Sequence, residues 1–227
     1  EAGKEYNEAM GRVTYERQVA SVAKLKELGI EVLESDLEAR QAWAKQLANI
    51  PKQRFEEIFQ RFGTTTTLAA CDQLVQQSAA AVRQAFASRI PDGSYSFRDY
   101  LDSDGITEQS YSVHLTMTKD NGNVTLDFRG TDDQARGAVN FIMHDSVPKF
   151  MYSLYLTADD PTVLLNQGFM QVIGEVKTRQ GSLVNPVFPA PLGMRSNTLL
   201  RVNNCVFGTL ALATEGQTSA ASPVYVI

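Results

Sequence analysis

The chain has 227 residues, enough for one large domain or two small ones. Hydrophobic residues at 43% and charged residues at 21% fit a globular protein and exclude a disordered or fibrous one. Lys and Arg number 21 against 26 Asp and Glu, a net charge of −5 with no basic patch, so nucleic acid is not an expected partner. No apolar stretch is long enough to span a bilayer, and no membrane partner is expected. The first residue is Glu1, with no signal peptide before it, and composition does not fix the compartment. Cys71 and Cys205 stand far apart and outside any CxxC pattern, which reads as buried thiols rather than a disulfide or a metal pair.

Residues 1–52 read as helical. Tyr6, Met10, Val13, Val22, Leu25 and Leu28 fall mostly on one helical face, and Gly29 ends the run. Glu31-Val32-Leu33 reads as a short extended piece. Ser35 or Asp36 can cap a second helix striped by Leu37, Trp43 and Leu47, with Ile50-Pro51 expected to break it. Phe55, Ile58, Phe59 and Phe62 form a short amphipathic run closed by Gly63. The Thr64–Thr67 tract reads as a loop and cap. Leu68, Cys71, Leu74, Val75, Val82 and Phe86 then stripe a longer helix.

At Pro91-Asp92-Gly93 the character turns to β, since Pro presets its backbone angle, Asp bonds locally and Gly accepts positive φ. Ser94–Leu101 alternates, and Asp102-Ser103-Asp104-Gly105 turns. Tyr111–Thr118 is a strand with Val113, Leu115 and Met117 on one face. Asn121-Gly122 is a hairpin turn, and Val124–Phe128 returns. A helix is expected over 147–157, a strand over 169–178, a Pro-rich loop over Gly181–Pro191, and a last helix from Ser196 with Leu199, Leu200, Val206 and Leu210 inward. Val224–Ile227 reads as an extended end, and its abrupt stop suggests a truncated chain.

Several residue types carry chemistry. Asp127, with Asp132 and Asp133, flanks Gly130-Thr131; a carboxylate at a strand end can orient a substrate or a metal, or can satisfy turn amides. Gln134 and Asn140 carry both donor and acceptor and can bind a cyclic amide or fix their own loop. His144 beside Asp145 is the candidate acid/base pair, although sequence neighbours often point apart. His114 alternates away from the Val113 set and reads as a surface or edge residue. Arg195 and Asn197, at a helix start after a Pro-rich loop, can bind an anion or simply pack and cap. Tyr152 and Tyr155, with Phe150 and Leu154, sit at helical spacing and read as core. Two histidines without HxxxH or HxH spacing give no zinc site, and no glycine pattern cradles phosphate.

Taken in order, RFEEIFQRFG (Arg54–Gly63), PDGSYSFRDYLDSDG (Pro91–Gly105), DFRGTDDQARGAVN (Asp127–Asn140), Asn166-Gln167-Gly168, GSLVNP (Gly181–Pro186) and the late helix resemble the hydantoinase B/oxoprolinase family over about residues 54–227. The resemblance implies an α+β fragment of a larger subunit, with N-terminal helices followed by an antiparallel β-rich region with interspersed helices. It further implies a cytoplasmic ATP-dependent cyclic-amide hydrolase or related ketone carboxylase. A hydantoinase A-type partner, similar to an actin-like ATP-binding subunit, would activate the substrate by phosphorylation. ATP and a divalent metal would then belong to the full complex and no cofactor to this chain. The family's His- and Asp-containing metal region lies nearer its N-terminus and is not recognisable here, so the isolated chain is expected to be inactive. Residues 1–52 differ: KEYN (Lys4–Asn7), YER (Tyr15–Arg17), LKELGIEV (Leu25–Val32) and AWA (Ala42–Ala44) are similar to the C-terminal tail of a TRAP-transporter solute-binding protein. The expected organisation is therefore a helical segment over 1–52 and a partial hydantoinase B-like domain over 53–227. A solute-binding fragment or a non-catalytic module are the alternatives.

Overall fold

A computed structural model describes residues 27, 29 and 37–217. The expected helix over Tyr6–Leu28, the extended piece at Glu31–Leu33, the caps at Ser35 and Asp36 and the strand at Val224–Ile227 lie outside the described residues, save Glu27 and Gly29. The chain divides into two compact units, Glu1–Thr64 and Thr65–Ile227.

The first unit contributes helix α1, Leu37–Phe62. It runs through Pro51, where the sequence reading expected a break. A proline removes one backbone donor, and the flanking residues are exposed, so water can serve the carbonyl released. Lys52–Glu56 and Arg54–Glu57 ion pairs, four and three residues apart, support the stretch after it. Gly63 ends α1 with φ of 79°, its amide bonded to Phe59 O at 2.8 Å, which is the left-handed stop that glycine provides. Trp43, Leu47, Ile50, Phe55, Ile58 and Phe62 are all exposed on α1.

The second unit opens with α2, Thr64–Arg89, so the threonine tract is helix rather than loop. Burial on α2 is concentrated in its second half, at Ser78, Ala79, Val82, Ala85 and Phe86. Leu68 and Leu74 are exposed, as is Cys71, which corrects the expectation of two buried thiols; Cys205 alone is buried. Four strands follow: β1 (Gly93–Leu101), β2 (Tyr111–Asp120), β3 (Asn123–Asp127) and β4 (Ile173–Lys177). They form one sheet in the order β1-β2-β3-β4. The first three pair antiparallel, through a hairpin whose Asn121 and Gly122 have φ of 47° and 83°. β4 joins β3 in parallel, which makes the sheet mixed. Parallel pairing needs a crossover, and here it contains α3 (Ser146–Thr157) and a short 3-10 turn, Gln167–Gln171. The residues expected to start the fourth strand form that turn.

Alternation decides which face is covered. Val113, Leu115 and Met117 are fully buried, and α4 (Arg195–Ala213) packs across β1 and β2. Contact is closest at Gly208, where a Cβ would lie 2.1 Å from Phe97 Cγ, so only glycine lets the helix approach. The thiol of Cys205 donates to Val113 O at 3.3 Å, and burial pushes its pKa up to about 12. α3 closes the core from α4's other side: Tyr152 bonds Thr209, and the Tyr155 ring stacks on Phe207 with centroids 4.3 Å apart. Tyr152 is fully buried, but Phe150 and Leu154, expected in the core, are 42% and 39% exposed.

Candidate functional site on the open sheet face

The face of the sheet opposite α4 carries a row of hydrogen-bonding side chains. Ser94, Ser96 and Arg98 alternate outward on β1, and Ser112, His114, Thr116 and Thr118 on β2. Register makes them neighbours: Ser96 stands opposite Thr116, and Arg98 opposite His114. The Ser96 hydroxyl is 2.8 Å from His114 Nε2 and 2.9 Å from the Thr116 hydroxyl, giving a continuous chain of hydrogen bonds. β2 is an inner strand, so His114 is half-buried at mid-sheet rather than at an edge. Burial holds its pKa below the ordinary value, with the Arg98 charge adding to this and Asp127 opposing it. The shift disfavours the charged imidazole.

Asp127 ends β3 opposite Thr116, on the same face. Its carboxylate accepts Arg129 Nη2 at 2.6 Å, Nε at 3.0 Å and the Arg129 amide at 2.9 Å. These bonds, first the side-chain ones, hold its pKa below the ordinary value. Asp127 is therefore both a turn-amide acceptor and half of an ion pair. Gly130 follows, and a Cβ there would lie 2.1 Å from His114 Nδ1, so its bare backbone makes room for the imidazole. His114, Thr116, Asp127, Arg129 and Gly130 line one open groove.

The other predicted site residues lie elsewhere. Gln134 clamps the Val187 backbone, donating to its carbonyl at 3.1 Å and accepting its amide at 2.7 Å. Asn140 is fully buried: Oδ1 accepts the Ala135 amide, and Nδ2 donates to the carbonyls of Ala135, Gly137 and Pro191. Both amides are spent fixing loops. His144 is exposed, and its Nδ1 bonds the amide and hydroxyl of Ser146 at the start of α3, not Asp145. Asp145 is exposed just before that helix, and Arg195 is exposed on the first turn of α4. None of these five lines the groove at Asp127. Ser96, Thr116 and Arg129 were not singled out from the sequence. Alternation along β2 puts Thr116 on the same side as His114, but only strand pairing brings Ser96 to them.

The remaining motifs tie loops together. Asp104 accepts the amides of Thr107, Ile106 and Gly137 and the hydroxyl of Tyr111. Asn166 reaches α2 through Leu74 O and caps the Gly168 amide, and a Cβ at Gly168 would lie 2.1 Å from Val75 O. The GSLVNP segment pairs its Leu183 and Val184 carbonyls with the Phe141 and Met143 amides. Motif order along the chain thus becomes a set of mutual contacts.

Residues 10–225 match the family described as Hydantoinase B/oxoprolinase. The chain belongs to that family. The match starts well before the boundary expected at 52/53. Among curated relatives of this hydantoinase B-type chain is a Pseudomonas sp. (strain NS671) protein, provisionally named as the B-type subunit of a D-/L-hydantoinase. It is 32% identical over 198 residues, 82% of this chain. The chain spans about a third of that relative, 32% of its length. Among solved structures, the ATP-dependent caprolactamase from Pseudomonas jessenii has a similar fold. Its TM-score is 0.63 at 16% identity, over 86% of this chain and 33% of that one. A nucleotide-free acetone carboxylase gives 0.57 at 15% identity, over 71% of this chain and 23% of that one. Among the described residues no helix is long and apolar enough to cross a membrane.

Proposed function

We propose that this chain is part of the B-type subunit of an ATP-dependent cyclic-amide hydrolase or a related ketone carboxylase, and that it acts beside a hydantoinase A-type subunit that binds ATP. The observation that carries this reading is the family match over residues 10–225, supported by fold likeness to an ATP-dependent caprolactamase and to acetone carboxylase. The groove at Asp127 has suitable chemistry for a small amide: the His114 imidazole and the Thr116 hydroxyl, both bonded to the Ser96 hydroxyl, next to a carboxylate already paired with Arg129. Ser96 Oγ and His114 Nε2 are close enough to exchange a proton.

On this reading the divalent metal belongs to the full complex and not to this chain. Among the described residues no group of three or more His, Cys, Asp or Glu side chains could hold one. On this reading the isolated chain is inactive. The enzyme is cytoplasmic, by the nature of its ATP-using chemistry.

The test is a pull-down and ATPase assay with an A-type subunit, with and without hydantoin or 5-oxoproline. Stable association with substrate-stimulated ATP hydrolysis supports the reading. A folded chain giving neither overturns it.

A further inference from the structure

A second cleft lies between the middle of α2 and the loop after α3, away from the sheet face. Leu74, Ser78 and Ala81 form its helical wall, at the spacing that aligns one helix face, and Asp160, Val163 and Leu164 face them.

One buried polar group in it lacks a partner, and one carboxylate has an oxygen open to solvent. Ser78 is 3% exposed, and its hydroxyl makes no hydrogen bond. A buried helical serine ordinarily bonds the carbonyl four residues back. Here that carbonyl, Leu74 O, already accepts Asn166 Nδ2 at 3.0 Å. Asp160 is exposed: its Oδ1 accepts the Thr162 hydroxyl at 2.6 Å and its amide at 2.9 Å, while among the described residues no donor reaches Oδ2. The neighbouring Asp159 is neutralised by Arg89 at 2.6 Å, and no Lys or Arg lines the cleft. The cleft thus offers one carboxylate oxygen open to solvent, one buried hydroxyl without a partner, the polar side chain of Gln77, and apolar contacts at Leu74, Ala81, Val163 and Leu164.

We propose that this cleft binds a small aliphatic ammonium compound that also carries a hydroxyl or carbonyl. The ammonium meets Oδ2 of Asp160, the aliphatic stem lies on Leu74, Ala81 and Val163, and the polar group bonds the Ser78 hydroxyl. A carboxylate in place of the ammonium is repelled by Asp160. A cation without a polar group leaves Ser78 unsatisfied.

Calorimetry on the full chain with aminobutanol, n-butanol and butyrate tests this. Aminobutanol is expected to bind about tenfold more tightly than n-butanol, and butyrate not at all. Asp160→Asn keeps an acceptor for Thr162 and should abolish the preference for the amine. Ser78→Ala should weaken aminobutanol about fivefold while raising the Tm of the free chain, because it removes an unsatisfied buried hydroxyl. A merely structural serine would lower that Tm instead. Equal binding of the three compounds, Ser78→Ala without effect on affinity, or a crystal soaked with aminobutanol that shows only water in the cleft overturns the proposal. None of these outcomes depends on the hydantoinase assay.

Discussion

The carboxylate of Asp104 and the amide of Gly137 are bonded at 2.8 Å across 33 residues of chain, joining the DSDG turn to the segment after the Asp127 turn. The approach is so close that a Cβ on Gly137 would lie 2.0 Å from Asp104 O, a backbone atom that cannot rotate away. Gly137→Ala is therefore expected to cost more than about 2 kcal/mol, read by urea denaturation. Wild-type stability would refute the contact.

The same carboxylate predicts an acid limb. The amides of Thr107, Ile106 and Gly137 hold the Asp104 pKa well below its ordinary 3.8, against the effect of burial. A depressed carboxyl contributes stability that is complete above the unfolded value and is lost as pH falls from there toward the folded value. Stability should decline below about pH 4. Asp104→Asn should be less stable at neutral pH and show a shallower decline, measured by thermal melts from pH 2 to 7.

His114 gives an opposite kind of test, because a lowered histidine pKa penalises the charged form. Its stability contribution is complete above the unfolded value of 6.5 and is lost as pH falls below it. With His144→Gln leaving one histidine, proton NMR should place the His114 midpoint below 6.5. Arg98→Met should raise it by removing a like charge, and Asp127→Asn should lower it further. Shifts of the opposite sign would show that Arg98 and Asp127 do not face the ring.

Asn140 and Gln134 separate a structural from a binding role. Asn140→Ala strands the Ala135 amide and three carbonyls and should cost about 3 kcal/mol or more. Gln134→Ala, at a more exposed clamp, should cost about 1 kcal/mol. Denaturation midpoints decide this: an Asn140→Ala chain as stable as wild type would return the residue to ligand binding.

Features that depend on neighbours along the chain were legible in the residues alone. The Val113, Leu115, Met117 alternation, the Asn121-Gly122 hairpin and the stop at Gly63 all held, because side-chain period and positive φ are local properties. Motif order was legible too, and it carried the family. Long-range packing set the rest. α1 continues through Pro51 because its surroundings are open, and Leu68 and Leu74 are exposed because burial on α2, Thr67 apart, is concentrated in its second half. β4 pairs in parallel with a strand 46 residues before it, as counted from Asp127 to Ile173. The site followed the same division. Asn140 has the same amide whether it holds a loop or a ligand, and Ser96 meets His114 only because register sets Ser96 opposite Thr116. Partners brought together by strand pairing and close packing are not encoded in any short window of residues.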